Sequence, residues 1–185
     1  MQRYSRPSIL LHWLVAILII AAFILGNVMA DMSFSPTKLK YFSWHKWLGV
    51  TILGLVAIRL LTRLFSTVPA YPDSMPGWQK KSASALHGLL YILMFAIPLS
   101  GYFYTSAAGY PVVYLYPVVY PVVHMGMVEL PTFIAPNPEL KPILKDLHEI
   151  LTKILFVVFC LHVAAAFKHL IINKDGIFQR MLPGK

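Results

Sequence analysis

The chain has 185 residues, of which 58% are hydrophobic and only 12% are charged. A soluble domain carries about 25% charged residues, so these polar groups are too few to cover a water-facing globule, and the high hydrophobicity excludes disorder. The formal net charge of +9 is typical of basic residues beside anionic lipid headgroups, and no basic stripe of the nucleic-acid-binding kind accompanies it. We expect one membrane domain over 1–185, with lipid and not nucleic acid as its surroundings.

Four apolar stretches predict an all-α fold, a transmembrane four-helix bundle. They cover about 8–29, 42–64, 84–106 and 146–172, each near the length of about 20 residues that a bilayer requires. Because the hydrocarbon core offers no water to unpaired amides, each stretch should be a helix.

The segment 107–145 differs from the spans, since it contains seven prolines. The tetrapeptide Tyr-Pro-Val-Val recurs in it at Tyr110, Tyr116 and Tyr120. Prolines at this density prevent a regular helix. We expect a proline-rich outer loop that lies as an apolar flap on the bundle or in the membrane interface, where tyrosine is common.

The lysines and arginines predict which side of the membrane each end occupies. Four spans put ten of these residues on the side of both termini and six on the other side. Because cytoplasmic loops carry the excess of positive charge, both termini are predicted to be cytoplasmic.

Histidines inside the predicted spans are the main functional signal, since intramembrane ionisable residues are costly and usually functional. His148 and His162 are 14 residues apart in the fourth span, which is about 21 Å along a helix and within about 40° of one face. Depth then matches His148 with His45 at the outer level, and His162 with His12 at the inner level.

Two imidazoles that face each other across a bundle suit haem iron, which takes two axial ligands. Iron ligated on both sides has no open position, which favours electron transfer over oxygen binding. Zinc is the rival, and it prefers four tetrahedral ligands. A membrane protein that binds a divalent metal without haem therefore stays an alternative. The single cysteine, Cys160, excludes a Cys-based metal site within one chain and a covalently attached haem.

These histidines stand in short motifs that form a recognisable pattern. In the first half of the chain they are Leu11-His12-Trp13, which follows Tyr4-Ser5-Arg6, and His45, which opens the second span. In the second half they are His87, eleven residues before Pro98, then Leu147-His148-Glu149, and Leu161-His162-Val163 followed by three alanines, with Met181-Leu182-Pro183 near the end of the sequence. Over nearly the whole chain this pattern resembles the bacterial cytochrome b561 family, and it is most similar to the small superoxide:ubiquinone oxidoreductases within it.

The resemblance implies a multi-pass protein of the bacterial inner membrane with two haem b groups. Its axial ligand pairs would be His12 with His162 and His45 with His148. The implied activity passes electrons from superoxide, or from another periplasmic donor, to ubiquinone. The alternative is a cytochrome b anchor subunit that carries electrons for a partner dehydrogenase. The loop 107–145 is longer than in the family, which bears on the donor that it admits.

Three histidines remain. His87 and His169 fall near the inner level, and we interpret both as quinone or proton contacts, because the pKa of histidine lies near neutrality. His87 could replace His12 as the inner ligand, since both lie at that depth. His124, in the proline-rich loop, is expected to have no function.

The six lysines of the outer side either steer an anion such as superoxide or anchor headgroups: Lys38, Lys40, Lys46, Lys141, Lys145 and Lys153.

Overall fold

The computed structural model describes residues 2–110, 113–114 and 128–183. Four long helices account for most of them, namely α1 (Arg6–Asp31), α2 (Pro36–Phe65), α3 (Gly77–Ala107) and α4 (Leu140–Phe167). Each is long and apolar enough to cross a membrane, which confirms the predicted all-α membrane bundle. A single antiparallel ladder, β1 (Val113–Tyr114) with β2 (Val128–Glu129), is the sheet structure among the described residues.

The helices begin before the apolar stretches do, by two to seven residues. At α1 and α2, capping groups outside the hydrocarbon explain the difference. The Ser5 side chain accepts a hydrogen bond from the Ser8 amide at 3.4 Å, and Ser35 accepts one from Lys38 at 3.2 Å. Each cap is followed by a proline in the first turn, where its missing N–H costs nothing. Hydropathy locates the part of a helix inside the bilayer, whereas caps locate its end.

The interior of the bundle is small. Val15 on α1, Val56 on α2 and Met94 on α3 form the centre of one cluster, and Leu93 with Val158 on α4 forms part of another. Most other large apolar side chains face outward, and Ile17, for example, is 61% exposed. An outer surface of this kind matches hydrocarbon and not water. The chain is therefore a multi-pass membrane protein.

Antiparallel helices put both ends of the chain on one side of the bundle, here called the termini side; the opposite side, with the α1–α2 turn and the start of α4, is the loop side. On the termini side α4 continues as a π-helical turn, Lys168–Asn173, and a 3₁₀ turn follows at Phe178–Met181. We call residues 174–183 the C-terminal tail.

Hydrogen bonds tie the C-terminal tail across the bundle end. The Trp13 indole N–H donates to the Met181 carbonyl oxygen at 2.7 Å. The Arg180 guanidinium donates to the Ala70 carbonyl in the α2–α3 loop at 2.6 Å, and the Tyr4 amide donates to the Arg180 carbonyl. The tail therefore connects α1, the α2–α3 loop and α4.

Substitution Trp13→Phe tests this connection, because it keeps the aromatic ring and removes the donor. We expect the loss of one hydrogen bond, about 1 kcal/mol, to raise the rate at which trypsin cleaves the tail about fivefold. Trp78→Phe is the matched control, since Trp78 is 66% exposed. Equal cleavage rates in the two variants would contradict the proposed connection.

Candidate functional site: two histidine pairs

The loop-side pair joins α2 to α4. The ring centroids of His45 and His148 are 6.2 Å apart, and the ring planes are inclined by 85°. His148 Nδ1 lies 3.0 Å from the Ile97 carbonyl oxygen and 3.1 Å from the hydroxyl of buried Ser100. Since the carbonyl can only accept, Nδ1 carries the proton and donates it. The lone pair of His148 is therefore on Nε2, as a metal-ligating imidazole requires.

Two glycines allow this pair to approach the neighbouring helices. A Cβ on Gly101 of α3 would lie 3.0 Å from His148 Cε1, and a Cβ on Gly26 of α1 would lie 3.2 Å from His45 Cε1. Both distances are shorter than ordinary van der Waals contact. Each imidazole ring of the pair therefore packs directly against the backbone of a neighbouring helix, at a position where any residue larger than glycine would clash with the ring.

The termini-side level contains three histidines instead of two. His162 on α4 faces His12 on α1 at a centroid distance of 6.2 Å and an inclination of 67°. His87 on α3 approaches the same ring more closely, at 5.3 Å. The structure therefore brings together both pairs expected from depth, and it adds His87 to the second one.

Arg59 distinguishes the termini-side level from the other. Its Nη2 lies 2.9 Å from His12 Nδ1, and its guanidinium also stands over the Tyr91 ring at 5.6 Å. A guanidinium has no acceptor, so Arg59 donates and His12 Nδ1 accepts. The neutral His12 ring then carries its proton on Nε2. Ligation through Nε2 would require that proton to move to Nδ1 and Arg59 to turn away.

The spacing of the pairs tests whether they suit a shared metal. A metal–imidazole bond is about 2 Å and the ring centre is about 1 Å further, so two axial imidazoles have centroids about 6 Å apart. Both His45–His148 and His12–His162 match this value, whereas His87–His162 is shorter. In the part of the chain that the structure describes, no three His, Cys, Asp or Glu side chains converge on a metal position. The donor set fits a planar macrocycle with two axial ligands.

The other predicted residues have separate surroundings. His169 belongs to neither pair and instead bonds to Asp175. Of the loop-side lysines, Lys145 pairs with Glu149 at 2.9 Å, and Lys141 stands over the Tyr110 ring. His124 and the repeats at Tyr116 and Tyr120 lie outside the described residues.

Sequence reasoning missed four residues of the site. Gly26 and Gly101 carry no local signal, because their partners are distant in the chain. Arg59 is one of the ten basic residues on the side of the termini, and its position among apolar residues is the one hint to its contact with His12. Asp175 follows His169 by six residues, which is no helical spacing, so its contact depends on the π-helical turn.

The bundle and its paired histidines define a membrane cytochrome b. The model of the prokaryotic cytochrome b561 family matches residues 3–184, and the chain belongs to this family. It is 29% identical to cytochrome b561 homolog 1 of Escherichia coli, covering 99% of this chain and 98% of that one. It is 30% identical to cytochrome b561 homolog 2 of the same organism, covering 98% and 92%, and 30% identical to the probable superoxide oxidase CybB of Yersinia pestis, covering 100% and 98%.

Membership confirms the resemblance seen in the sequence. The family binds haem b and transfers electrons within the membrane, so haem takes precedence over zinc as the group for the histidines. The chain is accordingly an electron-transferring membrane protein of the oxidoreductase kind.

Gly101→Ala is predicted to weaken cofactor binding at the loop-side pair, because the new methyl group displaces the His148 ring. Gly88→Ala, in the same helix, is the control, since a Cβ there meets nothing within 4 Å. We expect lower haem content and broadened reduced bands for Gly101→Ala, with helix content unchanged by circular dichroism. Wild-type haem content in Gly101→Ala would show that the close approach does not matter.

Proposed function

We propose that this chain is a di-haem oxidoreductase that takes electrons from superoxide on its loop side and delivers them to ubiquinone on its termini side. The observation that carries the proposal is the repetition of one geometry: two histidine pairs with the same 6.2 Å spacing, both built on α4. Two such levels on one helix form a route between the two faces of the membrane.

Each pair has its own assigned role. His45 and His148 would hold the loop-side haem, and His12 and His162 the termini-side haem. Haem iron, when bound, supplies a one-electron carrier at each level. The Ile97 carbonyl orients His148 for ligation. At the other level, the hydrogen bond between Arg59 and His12 Nδ1 would break when His12 ligates. The guanidinium of Arg59 would then turn into the adjacent cavity, where polar groups surround it. This cavity is also lined by Tyr4, Arg63 and Ser66.

On the loop side, basic residues support an anionic donor. Superoxide carries one negative charge, and lysines near a reactive face raise the local concentration of an anion. Lys46 and Lys153 lie near the loop-side level, and Lys141 and Lys145 belong to the first turns of α4. The Yersinia pestis relative, named a probable superoxide oxidase, agrees with this donor.

On the termini side, His87 and His169 support a quinone acceptor. Reduction of ubiquinone to the quinol consumes two electrons and two protons, so the reaction as a whole converts two superoxide ions, one quinone and two protons into two dioxygen molecules and one quinol. His87 lies against His162, close to the arriving electron. Both histidines can hand protons to a quinone oxygen.

The distribution of basic residues supports an orientation with the termini side in the cytoplasm of a bacterium and the loop side in the periplasm. The termini side has ten lysines and arginines and the loop side six, the bias expected of cytoplasmic segments. The protein would lie in the inner membrane, with protons for the quinol drawn from the cytoplasm.

A second candidate is a cytochrome b anchor subunit that receives electrons from a partner dehydrogenase. The two Escherichia coli relatives are named cytochrome b561 homologs, and a cytochrome carries electrons whether its donor is a small molecule or a partner protein. A dehydrogenase that stays bound through mild detergent extraction, together with no reduction by superoxide, would establish this candidate in place of the first.

Alanine substitutions test the ligand assignment. We expect about two haems per chain in the wild type by pyridine haemochrome assay, and about one in His148→Ala and in His162→Ala. The reason is that the protein holds a haem weakly when only one imidazole ligates its iron. His87→Ala is the matched control and should keep both haems. Loss of a haem in His87→Ala with none lost in His12→Ala would transfer the ligand role to His87.

A quinone-reduction assay tests the activity. Purified protein with a short-chain ubiquinone and a steady superoxide flux should form one quinol for every two superoxide ions, and the rate should fall as salt increases because the lysines are screened. Heat-denatured protein serves as the control for uncatalysed reaction. If superoxide leaves the haem oxidised, superoxide is not the donor.

A further inference from the structure

A hydrogen-bonded carboxylate holds His169 at the end of α4. His169 Nδ1 lies 2.6 Å from Asp175 Oδ2, and the two side chains are only 14% and 17% exposed. A distance this short is typical of a charge-assisted bond. The pair is therefore a built element of the termini side and not a transient surface contact.

The backbone is shaped to bring Asp175 back to this ring. The helix widens into the π-helical turn Lys168–Asn173. Lys174 then adopts the left-handed conformation, with φ of 50°, and Gly176 has φ of 79°. A non-glycine residue at positive φ costs free energy, so the contacts beyond it must hold the turn. A π-helical turn of this kind is frequent at functional sites.

Further hydrogen bonds keep Asp175 ionised. Its Oδ1 accepts from the Ile177 amide at 3.2 Å. The side-chain nitrogen of Asn173 lies 3.2 Å from His169 Nδ1, and Asn173 also lowers the pKa of Asp175. Burial raises the pKa of Asp175, but the bonds from His169, Ile177 and Asn173 outweigh burial and hold this pKa below its usual value. The carboxylate is thus an acceptor at neutral pH.

An ionised carboxylate decides which nitrogen of His169 exchanges protons. Two groups contact Nδ1: the carboxylate of Asp175 at 2.6 Å, which only accepts, and the amide nitrogen of Asn173 at 3.2 Å, which only donates. Because the contact with the charged carboxylate is the shorter and stronger one, Nδ1 keeps its proton, and the neutral ring has its lone pair on Nε2. Nε2 is then the one nitrogen that can take up a proton and release it.

The tail places this pair in the same unit as the termini-side histidines. From His162 to His169 is on the order of 10 Å along the helix. The C-terminal tail, which carries Asp175, also contains Met181. The Met181 carbonyl accepts a hydrogen bond from the indole of Trp13, and Trp13 follows His12 in the chain. Phe167 and Phe178 stack at 6.3 Å and close the turn between them.

We propose that Asp175 is a positioning residue for His169: it fixes the proton on Nδ1 and presents Nε2 as the group that protonates the bound quinone. This inference rests on the proposed quinone reduction. In the step, the Nε2–H bond of the protonated ring breaks and an O–H bond forms on the quinone oxygen. Water on the termini side then recharges Nε2 for the second proton, while the two electrons come from two superoxide ions.

Kinetics of Asp175→Asn test the role. Asparagine keeps the size but can turn its amide N–H toward Nδ1, which favours the wrong tautomer. We expect kcat for quinone reduction to fall roughly tenfold or more at nearly constant KM, with unchanged haem content and unchanged haem reduction by superoxide. Asp175→Glu should restore part of kcat, and Asp73→Asn, an exposed aspartate in the α2–α3 loop, should match the wild type.

The tautomer itself is measured by ¹⁵N NMR of histidine-labelled wild-type protein, with the His169 signals assigned by their loss in His169→Gln. Protonated Nδ1 and unprotonated Nε2 are expected in the neutral ring. A proton on Nε2, or a kcat in Asp175→Asn equal to that of the wild type, would overturn the proposal, as would a kcat loss that only follows haem loss. If wild-type protein reduces no quinone, the proposed function fails, while the tautomer measurement still decides what Asp175 does to His169.

Discussion

Five of the histidines inside the membrane spans face one another across helix interfaces, and these contacts organise the bundle. Lipid offers neither a donor nor an acceptor, so every histidine within the helices faces another helix. His148 bonds to the Ile97 carbonyl through one nitrogen and leaves the other nitrogen toward His45. Three histidines meet at the termini-side level, where His162 contacts both His12 and His87. Helix α4 supplies a histidine to both levels, which makes it the common element of the site.

The two levels differ in the chemistry around them. At the loop side, the groups in direct contact with the two rings are neutral: a backbone carbonyl and a serine hydroxyl at His148, and one glycine against each ring. At the termini side, the cation Arg59 contacts His12 directly, and a third histidine stands beside His162. A positive charge favours the reduced form of a nearby redox group. Arg59 and Arg63, which line one cavity on the termini side, would therefore favour the reduced form of a haem at that level.

The C-terminal tail extends this arrangement beyond the membrane span. A short segment after α4 contacts the start of α1 through Trp13 and the α2–α3 loop through Ala70. It also returns Asp175 to His169. A quinone takes up its protons and electrons at one end of the bundle. The hydrogen bonds of the tail connect the residues at that end, namely Trp13, Ala70 and His169. The bond from Trp13 is partly buried, whereas the bond from Arg180 to Ala70 is exposed.

Periodicity and composition were enough to determine four spans, their helical state and the depth of His148 and His162, because the bilayer allows few structures and a helix has a constant rise. The motifs around the histidines were enough to indicate the family. The tertiary structure alone decided that Gly101 and Gly26 seat the loop-side rings, that Arg59 occupies His12 Nδ1, and that Asp175 reaches His169. These contacts join residues from different helices or across a non-α turn, where side-chain meetings depend on packing and backbone conformation, and no local pattern in the chain encodes them.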